Sequence, residues 1–233
     1  MAWTEHDHAD ASALVARVAA ELAAACREAI AARGRAWLSL AGGRTPLPVY
    51  ARLAASGLGG PVSVLPGDER CVPHLDPACN LRQLRAAFAA DPGIAVLPLT
   101  VADGAPEGSL ALAREFLAAH PQPFDAVLLG MGADGHVASL FPGAANLAEG
   151  LSPDTDADAI AVLPDPLPPE APYPRISLTL RRLLHARQVH LLATGEDKRR
   201  VLRLAQQQDP AHGPPVAALL HARDHRVRIH WSP

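Results

Sequence analysis

The sequence lacks the long apolar segments and the charge excess that would indicate a membrane or a nucleic-acid partner. No hydrophobic run approaches the ~18 residues that a membrane-spanning helix needs. The first residues, MAWTEHDHAD, are polar and acidic, unlike a signal peptide. A formal net charge of −3 over 233 residues provides no excess of basic side chains for binding nucleic acid or anionic lipid. We therefore expect a cytoplasmic protein without nucleic-acid or membrane partners.

Cysteine and lysine are both scarce, and each scarcity is informative. The three cysteines, Cys26, Cys71 and Cys79, are odd in number and contain no CxxC pair, which predicts free thiols in a reducing compartment. Lys198 is the single lysine, so arginine supplies all the other Lys/Arg positions. A lysine kept in such a background predicts a place where a compact ammonium is needed and a planar guanidinium fits badly.

Two histidines near the N-terminus, His6 and His8, stand beside Asp7 and Asp10. These four side chains could bind a metal ion weakly. We expect a solvated N-terminal arm instead.

Strand and helix patterns alternate along most of the chain. Helices are predicted over residues 10–33, 46–56, 80–88, 108–119, 181–185, 196–207 and 215–222, and strands over 36–40, 62–65, 94–99, 124–129, 159–163, 175–180, 188–193 and 227–231. Seven prolines between 153 and 174 predict an extended surface loop around the strand at 159–163. This alternation predicts an α/β fold, a single domain over residues 1–233 with a doubly wound, mainly parallel sheet and helices on both faces.

The most informative stretch is FDAVLLGMGADGHVASLFPG, residues 124–143. Its apolar start predicts a strand buried on both faces of a parallel sheet. Gly130, Gly132 and Gly135 then predict a tight turn leading into a helix. Their GxGxxG spacing matches a dinucleotide fingerprint, but the motif falls past mid-chain and no acidic residue follows at a strand end, which argues against nucleotide binding.

Asp134 and His136 lie inside this glycine turn. Ligands of open α/β sheets bind outside the carboxyl ends of the strands, and this turn follows such an end. His136 is therefore our candidate for a general base, since an imidazole titrates near neutral pH. Ser139 follows on the predicted incoming helix, where we expect a capping or packing role.

Other strand ends carry further candidate binding groups. An anion-binding turn at the start of a helix is predicted from Gly42, Gly43, the hydroxyl of Thr45 and Pro46. Lys198 lies in the first turn of another helix, which is unfavourable unless an anion offsets its charge. Because the carboxyl ends of parallel strands share one edge of the sheet, we expect the candidate groups to converge on one ligand. Their chemistry suits a small ligand that carries a phosphate and a carbonyl-like electrophile. The candidate residues are Gly42, Gly43, Thr45, Asp68, Arg70, His136, Arg175 and Lys198.

Five segments make the chain resemble the 6-phosphogluconolactonases, within the wider group that includes glucosamine-6-phosphate deaminase/isomerase. They are AGGRTPLPVY (41–50), GDERCVPHLDPACNLRQL (67–84), residues 124–143, PRISLTL (174–180) and ATGEDKRRVL (193–202). The resemblance implies a Rossmann-like fold similar to the deaminase. It also implies hydrolysis of 6-phospho-D-glucono-1,5-lactone to 6-phosphogluconate, in the oxidative pentose phosphate pathway, with no metal or organic cofactor. The sequence leaves a monomer and a small homo-oligomer open.

The resemblance also implies roles for individual residues. His136 is similar to the family's base that activates the attacking water, and Asp134 would orient it. Arg70, beside Asp68 in the catalytic DER stretch, would stabilise charge on the lactone carbonyl or contact the phosphate. The phosphate side is implied to contain Lys198, Arg175, Thr45, Gly42 and Gly43, with Arg44 supplying charge where the family often has a serine.

Two alternative functions stay open at this point. A deaminase acting on glucosamine 6-phosphate resembles this chain in GDE and GxDGH, but it carries a glutamate where Phe141 stands here. A non-catalytic sugar-phosphate sensor would keep the fold and the phosphate site. It would have no need of His136 and Asp134, because binding alone requires no base.

Overall fold

The computed structural model describes residues 3–169, 172–223 and 225–233. The elements, in chain order, are β1 (Trp3–Asp7), α1 (Ala11–Arg33), β2 (Ala36–Leu40), α2 (Leu47–Ala54), β3 (Val62–Pro66), β4 (Asp68–Arg70), α3 (Asn80–Phe88), β5 (Ile94–Val96), α4 (Pro106–Ala119), β6 (Ala126–Gly130), α5 (Leu147–Leu151), β7 (Ala159–Val162), β8 (Arg175–Leu178), α6 (Leu180–Leu184), β9 (Val189–Thr194), α7 (Glu196–Gln207), α8 (Pro215–Leu220) and β10 (Val227–Ser232). No helix in these ranges combines the length and apolarity needed to cross a bilayer.

Seven strands form one parallel sheet in the order β1-β10-β9-β6-β2-β3-β5. Two buried apolar clusters lie on its opposite faces, one packed with α1, α2 and α3, the other with α4, α6, α7 and α8. Because both faces are covered, every residue of the interior strand β2 is buried. The predicted α/β class, with a mainly parallel sheet and helices on both faces, is confirmed.

A second, antiparallel sheet of three strands stands beside the main one, in the order β4-β8-β7. Its residues Ile160, Ile176 and Leu178 belong to the same apolar cluster as the helices of the adjacent face. This small sheet was not predicted, because β7 and β8 were expected as strands of the main sheet and β4 is only 3 residues long. It carries residues 68–70, which the sequence assigned to a turn.

The first helix follows its sequence pattern closely. Asp10 accepts a hydrogen bond from the backbone N–H of Ala13 at 2.8 Å, a standard N-cap. Gly34 closes the helix in the left-handed conformation with φ of 74°. Cys26 lies in the buried stripe between them, where burial raises the pKa of its thiol to about 12. All three cysteines are free thiols, as predicted.

The predicted solvated N-terminal arm is wrong. Residues Trp3–Asp7 form β1, which pairs in parallel with β10 so that His6 lies opposite His230. The segment contains only one large apolar side chain, Trp3, and its partner strand lies at the other end of the chain. The local sequence therefore carried no strand signal, and the pairing is set by tertiary contacts.

The predicted helix after Gly135 is also wrong. Residues 136–143 form successive turns, in which Val137 bridges to Met131 and to Leu140. Ala138 takes a left-handed conformation with φ of 49°, which no helix could continue. The next helix, α5, begins only at Leu147, beyond Pro142 and Gly143.

Candidate active site

Nine of the ten predicted site residues line one pocket of about 200 Å³. The pocket opens beyond the carboxyl ends of β2, β6 and β9, as expected for a parallel sheet, and the small sheet forms its other wall. The lining residues that the sequence predicted are Gly42, Gly43, Arg44, Thr45, Asp68, Arg70, His136, Arg175 and Lys198. The tenth, Asp134, lies behind His136 and contacts it directly.

His136 and Asp134 form a hydrogen-bonded pair in the turn after β6. His136 Nδ1 lies 2.6 Å from Asp134 Oδ1, which also accepts the backbone N–H of His136 at 3.1 Å. A carboxylate only accepts hydrogen bonds, so a neutral imidazole at this position carries its proton on Nδ1 and its lone pair on Nε2. Burial raises the pKa of Asp134, but the hydrogen bond and charge of His136 outweigh it and hold that pKa below its usual value.

The position of this pair depends on its neighbours. A Cβ atom on Gly132 would lie 2.2 Å from His136 Nδ1 and 2.5 Å from Asp134 Oδ1, so only glycine lets the backbone pass behind the pair. On the other side, the Phe141 ring packs against the imidazole with its centre 4.1 Å away. The imidazole therefore has a fixed place in the pocket wall.

Asp68 is held from the same turn by a residue that the sequence did not assign to the site. Ser139 Oγ donates to Asp68 Oδ2 at 2.5 Å, and the backbone N–H of Ser139 donates to Ser177 Oγ at 3.1 Å. Of the expected capping or packing role of Ser139, the capping part is wrong, because no helix begins there. Ser139 instead ties the His136 turn to both strands of the small sheet that border the pocket.

Glu69, the middle residue of the DER stretch, has a structural role. It is fully buried and accepts backbone N–H groups from Arg70, Asn80 and Leu81 at 2.7 to 2.8 Å. Glu69 thus caps α3, whose own N-cap residue, Cys79, makes no side-chain cap. Burial raises the pKa of Glu69 even though these three N–H groups oppose the shift.

The start of α3 also shapes the turn after β2. A Cβ atom on Gly42 would lie 2.0 Å from Asn80 Oδ1, and the N–H of Gly43 donates to Gln83 Oε1 at 3.3 Å. Asn80 and Gln83 were not predicted as site residues. They are three residues apart, which puts both on one face of α3, and this spacing is the only sequence signal that could have indicated them. Arg44 is exposed and reaches the pocket from the same turn.

Arg70 and Arg175 are cross-strand neighbours on β4 and β8. Arg70 Nη1 donates to the carbonyl of Ala78 at 2.6 Å, which fixes the guanidinium. The Arg175 guanidinium carbon lies 4.8 Å from the centre of the Phe141 ring. Asp68 follows β3 of the main sheet, as predicted, and itself begins β4. Arg175 was expected at a strand end of the main sheet, and this is wrong, because it begins β8 of the antiparallel sheet. Both residues line the same pocket.

Lys198 lies in the first turn of α7, as predicted, and lines the pocket. No carboxylate among the described residues forms an ion pair with it. Burial lowers the pKa of Lys198, and no opposing interaction restores it. The helix start and the desolvated ammonium together leave uncompensated positive charge at this end of the pocket.

Comparisons with known proteins agree with one another. The family described as "Glucosamine-6-phosphate isomerases/6-phosphogluconolactonase" matches residues 9–231. A protein named 6-phosphogluconolactonase from Caulobacter vibrioides is 40% identical over 220 residues, covering 92% of this chain and 90% of the relative. Another from Mesorhizobium japonicum is 37% identical, covering 96% and 91%. The crystal structure of a 6-phosphogluconolactonase from Shewanella baltica is 33% identical and superimposes with a TM-score of 0.90, covering 99% and 97%.

Proposed function

The chain belongs to the glucosamine-6-phosphate isomerase/6-phosphogluconolactonase family, and from this premise we propose that its pocket hydrolyses 6-phospho-D-glucono-1,5-lactone to 6-phospho-D-gluconate. The observation that carries the proposal is the His136–Asp134 pair in a pocket that also contains the chain's single lysine. We further propose that residues 1–233 act as one domain, in the cytoplasm, where the three free thiols stay reduced.

His136 is the general base in this proposal. Asp134 holds the proton on Nδ1, so Nε2 accepts a proton from water as the water oxygen attacks the lactone carbonyl. The ring C–O bond of the lactone then breaks, and the proton returns to the leaving alkoxide, which becomes a hydroxyl of 6-phosphogluconate. No side-chain nucleophile is required, because a lactone is an activated ester.

Lys198 and the turn after β2 bind the phosphate. The ammonium of Lys198 has no described counter-charge of its own, and the turn offers Arg44, Thr45 and the backbone of Gly42 and Gly43 to the same pocket. Phosphate oxygens suit both kinds of donor, cationic side chains and backbone N–H groups. Arg175 adds a further positive charge from the opposite wall.

Arg70 stabilises the negative charge that develops on the carbonyl oxygen. Its bond to the Ala78 carbonyl holds the guanidinium in one orientation, and a donor that is already in place needs no reorganisation during the reaction. Asp68 accepts a hydrogen bond from a sugar hydroxyl, while Ser139 occupies its Oδ2 atom.

The family also contains deaminases, and one feature of the pocket favours lactone hydrolysis over deamination. Phe141 packs against His136 and under the Arg175 guanidinium, so an apolar ring occupies the position where the deaminase sequence has a glutamate. A monomeric glucosamine-6-phosphate deaminase shares the fold, with a TM-score of 0.78, but is only 18% identical. Fold similarity at that level does not assign an activity.

The proposal is tested by following the decay of freshly generated 6-phosphogluconolactone at slightly acidic pH, where spontaneous hydrolysis is slow. The protein should accelerate the decay, and His136→Ala should remove about 10²–10⁴-fold of that acceleration. Binding of 6-phosphogluconate should change little. His212→Ala, which removes an exposed imidazole that does not line the pocket, is the matched control and should keep full activity.

Three outcomes would contradict parts of this proposal. No acceleration together with retained 6-phosphogluconate binding would indicate a sugar-phosphate sensor. Ammonia release from glucosamine 6-phosphate would indicate the deaminase. A near wild-type rate in His136→Ala would remove His136 from the mechanism while leaving the lactonase activity in place.

A further inference from the structure

A second group of chemically active side chains lies outside the pocket, between α1 and the main sheet. His190 on β9 and His230 on β10 are both fully buried, and Glu21 of α1 lies above them. His190 Nδ1 is 3.2 Å from His230 Nε2 and 3.5 Å from Glu21 Oε2. His230 Nε2 is 3.8 Å from the same carboxylate oxygen.

We propose that Glu21, His190 and His230 form a structural binding site for a divalent transition-metal ion such as Zn²⁺. Zinc binds imidazole nitrogen and carboxylate oxygen at about 2.0–2.2 Å in tetrahedral geometry, which separates neighbouring donor atoms by about 3.3–3.5 Å. The observed triangle, with sides of 3.2, 3.5 and 3.8 Å, is close to one face of such a tetrahedron. Two imidazoles and one carboxylate are also a donor set that zinc uses.

The surroundings of His230 support this assignment. His8 Nε2 lies 3.3 Å from His230 Nδ1, the ring nitrogen that faces away from the cluster. Zinc-binding histidines commonly have such an outer partner on the second nitrogen, which fixes the tautomer.

One interaction opposes the metal and makes the proposal testable in both directions. Glu21 is bound by two arginines: Arg17 Nε contacts Oε1 at 2.5 Å, and Arg228 Nη1 contacts Oε2 at 3.2 Å. Oε2 is also the oxygen that faces the histidines, so the Arg228 guanidinium competes with an incoming ion for it. Arg228 keeps a second partner, Gln188 Oε1 at 2.9 Å, to which it can hold after displacement.

The site would join three distant parts of the chain. Glu21 comes from α1, His190 and His230 come from adjacent strands, and His8 lies just beyond β1 at the edge of the sheet. An ion held there would strengthen the attachment of β1 and α1 to the sheet. The ion takes no part in lactone hydrolysis, because none of its ligands lines the pocket.

The test is a titration of the metal-stripped full-length protein with Zn²⁺, monitored by calorimetry. It is run in the His136→Ala background so that the His136–Asp134 pair cannot contribute. One ion should bind per chain. Glu21→Gln should weaken binding by more than about 100-fold, the upper end of what loss of an outer-shell partner costs. Arg228→Gln should tighten binding, and His212→Ala should leave it unchanged.

Co²⁺ provides an independent readout. Addition of Co²⁺ to the parent protein should produce the visible absorption bands of a tetrahedral site. These bands should be absent in Glu21→Gln. The substitution replaces the partly exposed Glu21 side chain by one of equal size. The proposal is overturned if Zn²⁺ does not saturate at one ion per chain, if Glu21→Gln binds as well as the parent, or if Arg228→Gln binds more weakly. None of these outcomes bears on the lactonase reaction.

Discussion

Replacing Lys198 with methionine should separate phosphate recognition from chemistry. The methionine side chain is similar in length and favours helix, so α7 should be retained while the ammonium is lost. A charge-assisted hydrogen bond contributes about 1.5–3 kcal/mol, which corresponds to a loss of roughly 10- to 150-fold in kcat/KM for the phosphorylated lactone. We expect the loss to appear mainly in KM, because the phosphate does not change during the reaction.

The same substitution should not destabilise the free protein. Lys198 is half-buried, burial lowers its pKa, and no described carboxylate pairs with it, so the free protein gains little from the ammonium. Thermal unfolding of Lys198→Met should therefore occur at the wild-type temperature or above it. A residue kept for binding at a cost in stability is expected to behave in this way.

The assay compares 6-phosphogluconolactone with unphosphorylated glucono-1,5-lactone in wild type, Lys198→Met and Lys198→Arg. The arginine variant keeps the charge but not the compact ammonium, so it should recover only part of the lost affinity. Equal losses on the two lactones would refute the reasoning, because an effect independent of the phosphate cannot come from a phosphate contact.

Three further predictions follow from the same pocket. Gly132→Ala places a Cβ atom 2.2 Å from His136 Nδ1. Turnover should fall towards that of His136→Ala, while the circular dichroism spectrum stays native. Unchanged turnover would contradict the close approach of the backbone to His136. Ser139→Ala leaves the buried Asp68 Oδ2 without its hydrogen-bond donor. The free energy of unfolding measured in urea should fall by about 1–3 kcal/mol, and the activity should fall as well. Wild-type stability in this variant would show that the hydrogen bond contributes nothing. In the folded protein the pKa of Asp134 is held below 3.8. The ionised carboxylate therefore contributes its full stabilisation above pH 3.8, and this contribution is lost as the pH falls through the lower folded-state pKa. Urea unfolding at a series of pH values should show this loss of stability in wild type and not in Asp134→Asn.

The sequence predicted the main sheet and most of the pocket because both depend on local patterns. The apolar run before Gly130 is itself the central strand β6, and the glycines after it are the turn that presents His136. Lys198 stood out by composition alone and lies where its position in the first turn of α7 predicted. Parallel strands bring their carboxyl ends to one edge, so these residues could be grouped without knowing the strand order.

The features that were missed depend on contacts between distant segments. β1 is a strand because β10 offers it a free edge, and nothing within residues 3–7 shows this. Glu69 was indistinguishable from its charged neighbours, since the amides of Asn80 and Leu81 that it caps lie eleven and twelve residues away. Ser139 was assigned to a helix that the left-handed Ala138 prevents, and its real partner, Asp68, is 71 residues distant.

The two outer strands of the main sheet have a consequence for how copies of the chain can associate. β5, at one edge, is only three residues long. β1, at the other edge, carries the exposed acidic residues Glu5 and Asp7. Glu5 accepts a hydrogen bond from Gln206 at 2.7 Å, and Asp7 accepts one from Arg199 at 2.6 Å. Short and charged edges resist the addition of a further strand. We therefore expect the main sheet to resist the addition of a strand from another copy, even in concentrated solution.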